Sequence, residues 1–384
     1  MPQDWAEVRV KVKKTVLLVA QSGRILARSA ARSGLRTVTL DLFADEDTRE
    51  YADCCQAIPS NQGDFDEGAL LTVAEELAPS DGTIGLVYGS GIDTRPALLE
   101  RLACGRVLYG NTPATLRLMK APHAFFELLD RLAIPYPETR FIPPKSTAGW
   151  LVKPGCREGG KGVRFFAKIC AAADAEDYYQ RYMPGEALSA LFLANGENAR
   201  IIGFNTQWTA SHDPGQPFLF AGAINRAALS ESQRELIKEY SARLTRASGL
   251  VGLNSLDFLL DGKGCRVLEV NPRPSATMSL YDTDYVRGLL IEHIAACRGE
   301  WGAEVKPNSL VQAFRIVYAS RMTVIPERIK WPQWCADRPR VGATIAVGSP
   351  LCSVRAEAKH RHEAETLLRI RESEILARLD LRVG

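Results

Sequence analysis

Several absences narrow the possibilities before any motif is read. No run approaches the roughly 18 consecutive apolar residues that a membrane-spanning helix needs. Net charge is almost missing: 48 Lys and Arg against 45 Asp and Glu leave +3 over 384 residues, which gives no case for nucleic-acid binding. No C-x-x-C pair occurs, and the nine cysteines stand singly apart from Cys54–Cys55. An odd, unpatterned set fits a reducing compartment and argues against a disulfide framework. The basic flank of "VKVKKTVLLVA" precedes an apolar run of only about six residues with no small-residue cleavage site, so a buried first strand is expected, not a signal peptide. A soluble, cytoplasmic protein is the expectation. After that run there is one glycine, Gly23, where a dinucleotide fingerprint needs three, which argues against a dehydrogenase.

What is present is an alternation. "TVLLVA" (15–20) and "TIGLVYGSG" (83–91) are runs suited to strands covered on both faces, each followed by a helical stretch; the first helix closes at Gly34. This pattern predicts an open parallel α/β sheet whose ligands lie beyond the strand carboxyl ends, near Gln21–Gly23 and Gly89–Gly91. "NTPATLRLMKAPHAFFELLDRLAIP" reads as a linking helix, with Thr112 as N-cap and Pro113 at the first helical position. From residue 149 onward short hairpins dominate, interrupted by a helix with a Ser230/Gln233 capping box and Gly249 at its exit. A β-rich segment follows to about residue 357, and the chain closes with an amphipathic helix.

Chemistry concentrates in three places. "VKPGCREGGKGVRFF" ends an apolar strand on Lys153 and continues as a glycine loop whose backbone N–H groups can converge on an anion; the other reading is a hairpin tip with solvated lysines. Cys156 lies in that loop with no histidine near it in sequence, which makes a nucleophile improbable. In "NSLDFLLDGKGCRVLEVN", Asp257, Glu269 and Asn271 share a face only if Asp257 pairs with Glu269. A three-residue turn of Gly262, Lys263 and Gly264 produces that register, whereas two or four residues would not. Two carboxylates and an amide oxygen are hard ligands suited to Mg2+; the bland reading is a polar edge hairpin. Arg273 stands between Pro272 and Pro274, either pre-aimed at developing charge or a structural ion-pair partner. His360 and His362 lie in a charged run and read as solvated surface.

In this order, these pieces resemble the ATP-grasp superfamily over roughly residues 15–300. The resemblance implies an N-terminal open parallel α/β domain (1–111), then an ATP-grasp fold whose two α+β subdomains (112–183 and 184–300) clamp ATP. A C-terminal β-rich segment and helix (301–384) would follow. It implies that Lys120 and Lys153 contact nucleotide phosphates and that Gly159, Gly160 and Gly162 close over them. Gln180 and the backbone near Met183 would meet adenine, and Glu186 the ribose, although it stands directly after Gly185 and one position out of step. Asp257, Glu269 and Asn271 match the metal ligands for Mg2+, with Mn2+ as the alternative ion, and Arg273 the group beside the transferred phosphate. Position 255 is Ser where many amino-acid ligases of the superfamily carry arginine.

The implied activity is an ATP- and Mg2+-dependent carboxylate–amine ligase. Glutamate or another amino acid would be activated as an acyl phosphate and joined to a small amine, with tyramine–glutamate ligases of one-carbon cofactor synthesis as the nearest subfamily. A bicarbonate-activating purine-type carboxylating ligase and a non-catalytic ATP-binding regulator are the alternatives. Partners are small molecules, not nucleic acid or membrane, and a homodimer is the base-rate expectation. Gly89–Gly91, Arg226 and Tyr281 are candidates to face the acceptor.

Overall fold

Strands that are apolar on both faces need cover on both sides, and the computed structural model places them centrally. It describes residues 15–380 apart from 62, 156, 168–176, 211–215, 262–263 and 303–304. The basic flank before Thr15, Cys156, Gly262 and Lys263 therefore lie outside the described residues. Thr15–Val19 occupies the middle of a five-stranded sheet, with Arg36–Asp41 and Cys54–Ala57 on one side and Thr83–Tyr88 and Leu108–Tyr109 on the other. Every pairing in it is parallel, as the alternating pattern requires. Helix Arg24–Ser33 stops at Gly34, whose φ of 73° lets its N–H reach back to the carbonyls of Ala30 and Ala31.

The linking helix is two helices, Pro113–Lys120 and Pro122–Arg131. Pro122 offers no N–H and drives Ala121 to ψ 114°, so Lys120 becomes the last residue of the first helix. Thr112 caps it as expected, its side chain accepting from the Thr115 N–H. A four-stranded antiparallel sheet follows, with Trp150–Lys153 between Arg164–Phe165 and Tyr178–Arg181, and Thr139–Arg140 at the far edge.

The largest sheet has eight strands, in the order Gly264–Asn271, Val251–Asp261, Ala187–Asn195, Ala199–Thr209, Phe220–Asn225, Val311–Tyr318, Pro350–Ala358 and Cys335–Ala336. The C-terminal strands thus continue the sheet that carries the acidic hairpin, through pairing of Gly222 with Arg315 and Ile224 with Ala313. Helix Glu231–Ser248, with its complete Ser230/Gln233 capping box, buries Ile237, Tyr240 and Leu244 against Phe192, Leu256 and Phe258. Helix Arg361–Asp380 covers the C-terminal strands, burying Leu368 and Ile375 beside Val317 and Val354. His360 and His362 sit at its start with rings stacked at 5.8 Å, on a helix entry and not along a strand.

Two buried polar joints tie the parallel sheet to the large one. Asn111 donates to Asn254 Oδ1 and to the Pro272 carbonyl, each at 2.9 Å, and accepts the Val251 N–H. His293, on helix Leu289–Cys297, accepts the Leu253 N–H at Nδ1 (2.8 Å) and meets the Tyr109 carbonyl at Nε2 (3.0 Å). Since a carbonyl only accepts, Nε2 carries the proton. The backbone passes so close that a Cβ on Gly252, at φ 66°, would lie 2.4 Å from Nδ1.

Candidate active site

The register of the acidic hairpin decides whether the site exists. Asp257 does pair with Glu269, and Ser255 with Asn271, so the expected shared face forms. The turn is not what achieves it. Asp261 pairs with Gly264, leaving two residues between them, and that register persists to Phe258 and Val267. The shift comes one step later, where Leu268 is an extra residue on the second strand. A bulge loosens the ladder locally, and here the Val267 N–H goes outside the hairpin to the Pro135 carbonyl at 2.9 Å.

The polar groups then converge. Asn271 Nδ2 donates to Asp257 Oδ2 (3.2 Å) and Glu269 Oε1 (3.3 Å), while its Oδ1 accepts from Lys120 Nζ at 2.9 Å. Ser255 Oγ and Gln207 Nε2 donate to Asp257 Oδ1 at 3.2 and 3.3 Å. Burial and the neighbouring Glu269 charge raise the Asp257 carboxyl above the usual carboxylate range. Glu269 goes down: burial opposes ionisation, but Lys120 and Lys153 outweigh it. A pair of acids pushed apart in this way carries negative charge that a cation would relieve, and hard oxygen donors suit Mg2+. Among the described residues no group of three His, Cys, Asp or Glu is arranged for a metal, so protein ligation would rest on two carboxylates and one amide.

Lys153 ends its strand with Nζ 3.1 Å from Gln180 Oε1, and Gln180 Nε2 donates to Thr139 Oγ1, so these two candidates meet each other. Met183 follows two residues after strand Tyr178–Arg181, in the crossing to Ala187–Asn195. Gly159, Gly160 and Gly162 all take positive φ (61°, 73° and 80°), the conformations a folded-over loop needs. Glu186 is held elsewhere: Arg361 of the C-terminal helix pairs with it at 2.9 Å and also donates to Thr206 Oγ1.

Arg273 is positioned from below and from the side. The Pro272 carbonyl accepts from Tyr88 Oη (3.2 Å) and Asn111 Nδ2 (2.9 Å), fixing the strand exit. Nε lies 3.0 Å from Asp93 Oδ2, and Nη2 lies 2.9 Å from Glu158 Oε2. Asp93, fully buried, is also 3.5 Å from Lys120 Nζ, so one acid bridges the two cations. Burial disfavours its charge, but Arg273 and Lys120 hold its carboxyl down. Sequence reasoning missed Asp93 and Glu158. The only signals were position: Asp93 falls just past Gly89–Gly91, and Glu158 within the glycine loop. Tyr281 donates to Asn205 Oδ1 and, with Arg226, lines a separate cavity of about 760 Å3 that contains none of the charged residues above.

Residues 123–277 match the family described as ATP-grasp domain. The chain carries an ATP-grasp domain. Its fold is similar to biotin carboxylase from Campylobacter jejuni, solved as a β,γ-ATP complex, with a TM-score of 0.70 and 14% identity over 93% of this chain and 90% of that one. L-amino acid ligase from Bacillus licheniformis gives a TM-score of 0.68 at 16% identity, covering 94% and 97%. N5-carboxyaminoimidazole ribonucleotide synthetase from Thermotoga maritima gives 0.67 at 15%, covering 94% and 98%. The parallel sheet before the ATP-grasp domain and the strands after it are therefore part of the shared architecture. No helix among the described residues is long and apolar enough to cross a membrane.

Proposed function

We propose that this chain is an ATP- and Mg2+-dependent carboxylate–amine ligase whose carboxylate substrate is an amino acid. The observation that carries the reading is the convergence of Asp257, Glu269 and Asn271 with Lys120 and Arg273 on one polar face, joined through Asp93. Two acids, an amide and a set of fixed cations are what phosphoryl transfer requires, since it relies on positioning and charge neutralisation more than on covalent help from the protein. The likeness to L-amino acid ligase supports the substrate class, and the likeness to a β,γ-ATP complex supports the nucleotide.

Asp257 and Glu269 would hold Mg2+, joined by the Asn271 amide oxygen once that amide turns it from Lys120 toward the two carboxylates, and the bound ion would neutralise phosphate charge. Lys120 and Lys153 face the phosphates, with Gly159, Gly160 and Gly162 closing over them. Gln180 and the backbone at Met183 lie toward the base, and Glu186, tied to Arg361, is the least engaged of the nucleotide candidates. Arg273 stabilises the charge on the phosphoryl group as a carboxylate oxygen takes it and ADP leaves. The amine then attacks the acyl carbon, phosphate departs, and the amine loses a proton. Tyramine–glutamate ligation is one member of this class, and the proposed setting is cytoplasmic, with small-molecule substrates and a dimeric assembly.

Bicarbonate is the second carboxylate to consider, in keeping with the likeness to the carboxyaminoimidazole ribonucleotide synthetase. Phosphate release from MgATP, measured over a matrix of amino acids and amines, tests the reading. Release that needs one member of each set is expected. Release driven by bicarbonate with an aminoimidazole nucleotide would move the assignment to the second reading. Nucleotide binding with no release across the whole matrix and with bicarbonate would overturn both.

A further inference from the structure

The glycine loop is fastened to three other parts of the molecule. Glu158 Oε1 accepts the Gly91 N–H at 3.1 Å, at the carboxyl end of a parallel-sheet strand. Glu158 Oε2 receives Arg273 Nη2 at 2.9 Å. One residue on, the Gly159 carbonyl accepts the Phe220 N–H at 2.8 Å. Gly160 then rests directly on the same segment, because a Cβ there would stand 1.9 Å from the Phe218 carbonyl oxygen. The rings of Phe165, Tyr182 and Phe218 close the outside, with centroids 5.2 to 6.2 Å apart.

This arrangement leaves neither terminal nitrogen of Arg273 without a partner. Nε faces Asp93, Nη1 donates to the Pro274 carbonyl at 3.3 Å, and Nη2 is taken by Glu158. A backbone N–H beside a guanidinium is how proteins hold a carboxylate or phosphoryl oxygen. Here the protein's own carboxylate fills that arrangement, with a side chain only 12% exposed. We propose that Glu158 is an internal competitor for the substrate anion: it latches the glycine loop onto Arg273 and Gly91, and an arriving carboxylate or phosphoryl group must displace it, which frees the loop. The proposal rests on the anion-binding role of Arg273 given above.

The latch is built to let go. Burial and the Asp93 charge push the Glu158 carboxyl upward, so the contact is under electrostatic load although Arg273 attracts it. Glycines with positive φ at 159, 160 and 162 supply backbone freedom on its C-terminal side. A loop bound this way couples entry to motion: the anion that wins Arg273 also unfastens the cover.

Calorimetric titration of the full chain with inorganic phosphate, and separately with acetate, tests this in wild type, Glu158→Gln and Arg273→Gln. Glu158→Gln should bind whichever anion normally displaces the latch about tenfold more tightly, since an amide oxygen holds the Arg273 guanidinium less strongly than the carboxyl group does. Trypsin should cut after Arg157 and Lys161, both exposed, several-fold faster in Glu158→Gln. Adding phosphate or acetate to wild type should speed the same cuts, a measurement that needs no variant to fold. Tightening for phosphate alone identifies a phosphoryl oxygen as the displacing group, and for acetate alone a carboxylate. Unchanged or weaker binding of both anions by Glu158→Gln, with Arg273→Gln losing affinity, would overturn the latch and leave the ligase reading standing. Wild-type anion affinity in Arg273→Gln would instead remove the anion role of Arg273 and both proposals with it.

Discussion

His293 offers a test of the joint between the two large sheets by proton linkage. Its ring is buried and neutral, and desolvation holds its pKa down at about 4 against an ordinary 6.5, although the Tyr109 carbonyl favours the proton at Nε2. An unfolded chain takes up that proton below about pH 6.5, whereas the folded one resists until about pH 4. Between those values the unfolded state binds more protons, so the joint is fully effective above about pH 6.5 and weakens as the pH falls. Working from those two values, acidification from pH 8 to pH 5 should cost about 2 kcal/mol. Urea unfolding followed by tryptophan fluorescence, in wild type and His293→Gln, measures it by difference. Other buried acids titrate in both proteins and cancel. The variant should start lower, because glutamine fits the Leu253 N–H and Tyr109 carbonyl less well, and should lose less stability on acidification. A wild-type minus variant difference that stays flat from pH 8 to pH 5 would refute a buried neutral imidazole.

Other substitutions probe the cleft. Asp257→Asn should weaken Mg2+-dependent nucleotide binding on the order of 10–100-fold, and in metal-free buffer at pH 8 its thermal midpoint should equal or exceed wild type, because a charge disfavoured by burial and Glu269 is removed; calorimetry and a melting scan check both. Asp93→Asn should cost about 3–5 kcal/mol in urea unfolding, since Lys120 and Arg273 lose their shared buried counter-charge. A loss within 1 kcal/mol would show that pairing to be incidental. Gly160→Ala demands a left-handed alanine, about 1–2 kcal/mol, against the Phe218 carbonyl, so the loop should lift, and hydrogen exchange at Gly159–Val163 should rise while the global midpoint moves little.

The parts legible in the sequence are those set by local chemistry. Apolar runs such as Thr15–Val19 can only be central strands, and Gly34, Thr112 and the Ser230/Gln233 pair mark helix ends by their own hydrogen bonding. The carbonyl beside the register shift of the acidic hairpin belongs to Pro135, far back in the chain, so the hairpin's own residues point to the turn while the shift lies at Leu268. Asp93 stayed hidden for the same reason: a lone aspartate after a strand has no visible partner until the fold brings Lys120 and Arg273 beside it. The C-terminal strands read as a separate segment because nothing in their composition reveals that Gly222 and Arg315 pair.

That last pairing has a practical consequence for anyone trimming the chain. Phe220–Asn225 is an interior strand only because Val311–Tyr318 lies against it. Cutting before residue 311 would leave a bare edge of unpaired N–H and C=O groups beside the apolar Ala223 and Ile224, a ready template for a stray strand from another molecule. The tail thereby protects the solubility of the catalytic half, and a shortened chain should gather into oligomers or precipitate before it loses any side chain of the cleft.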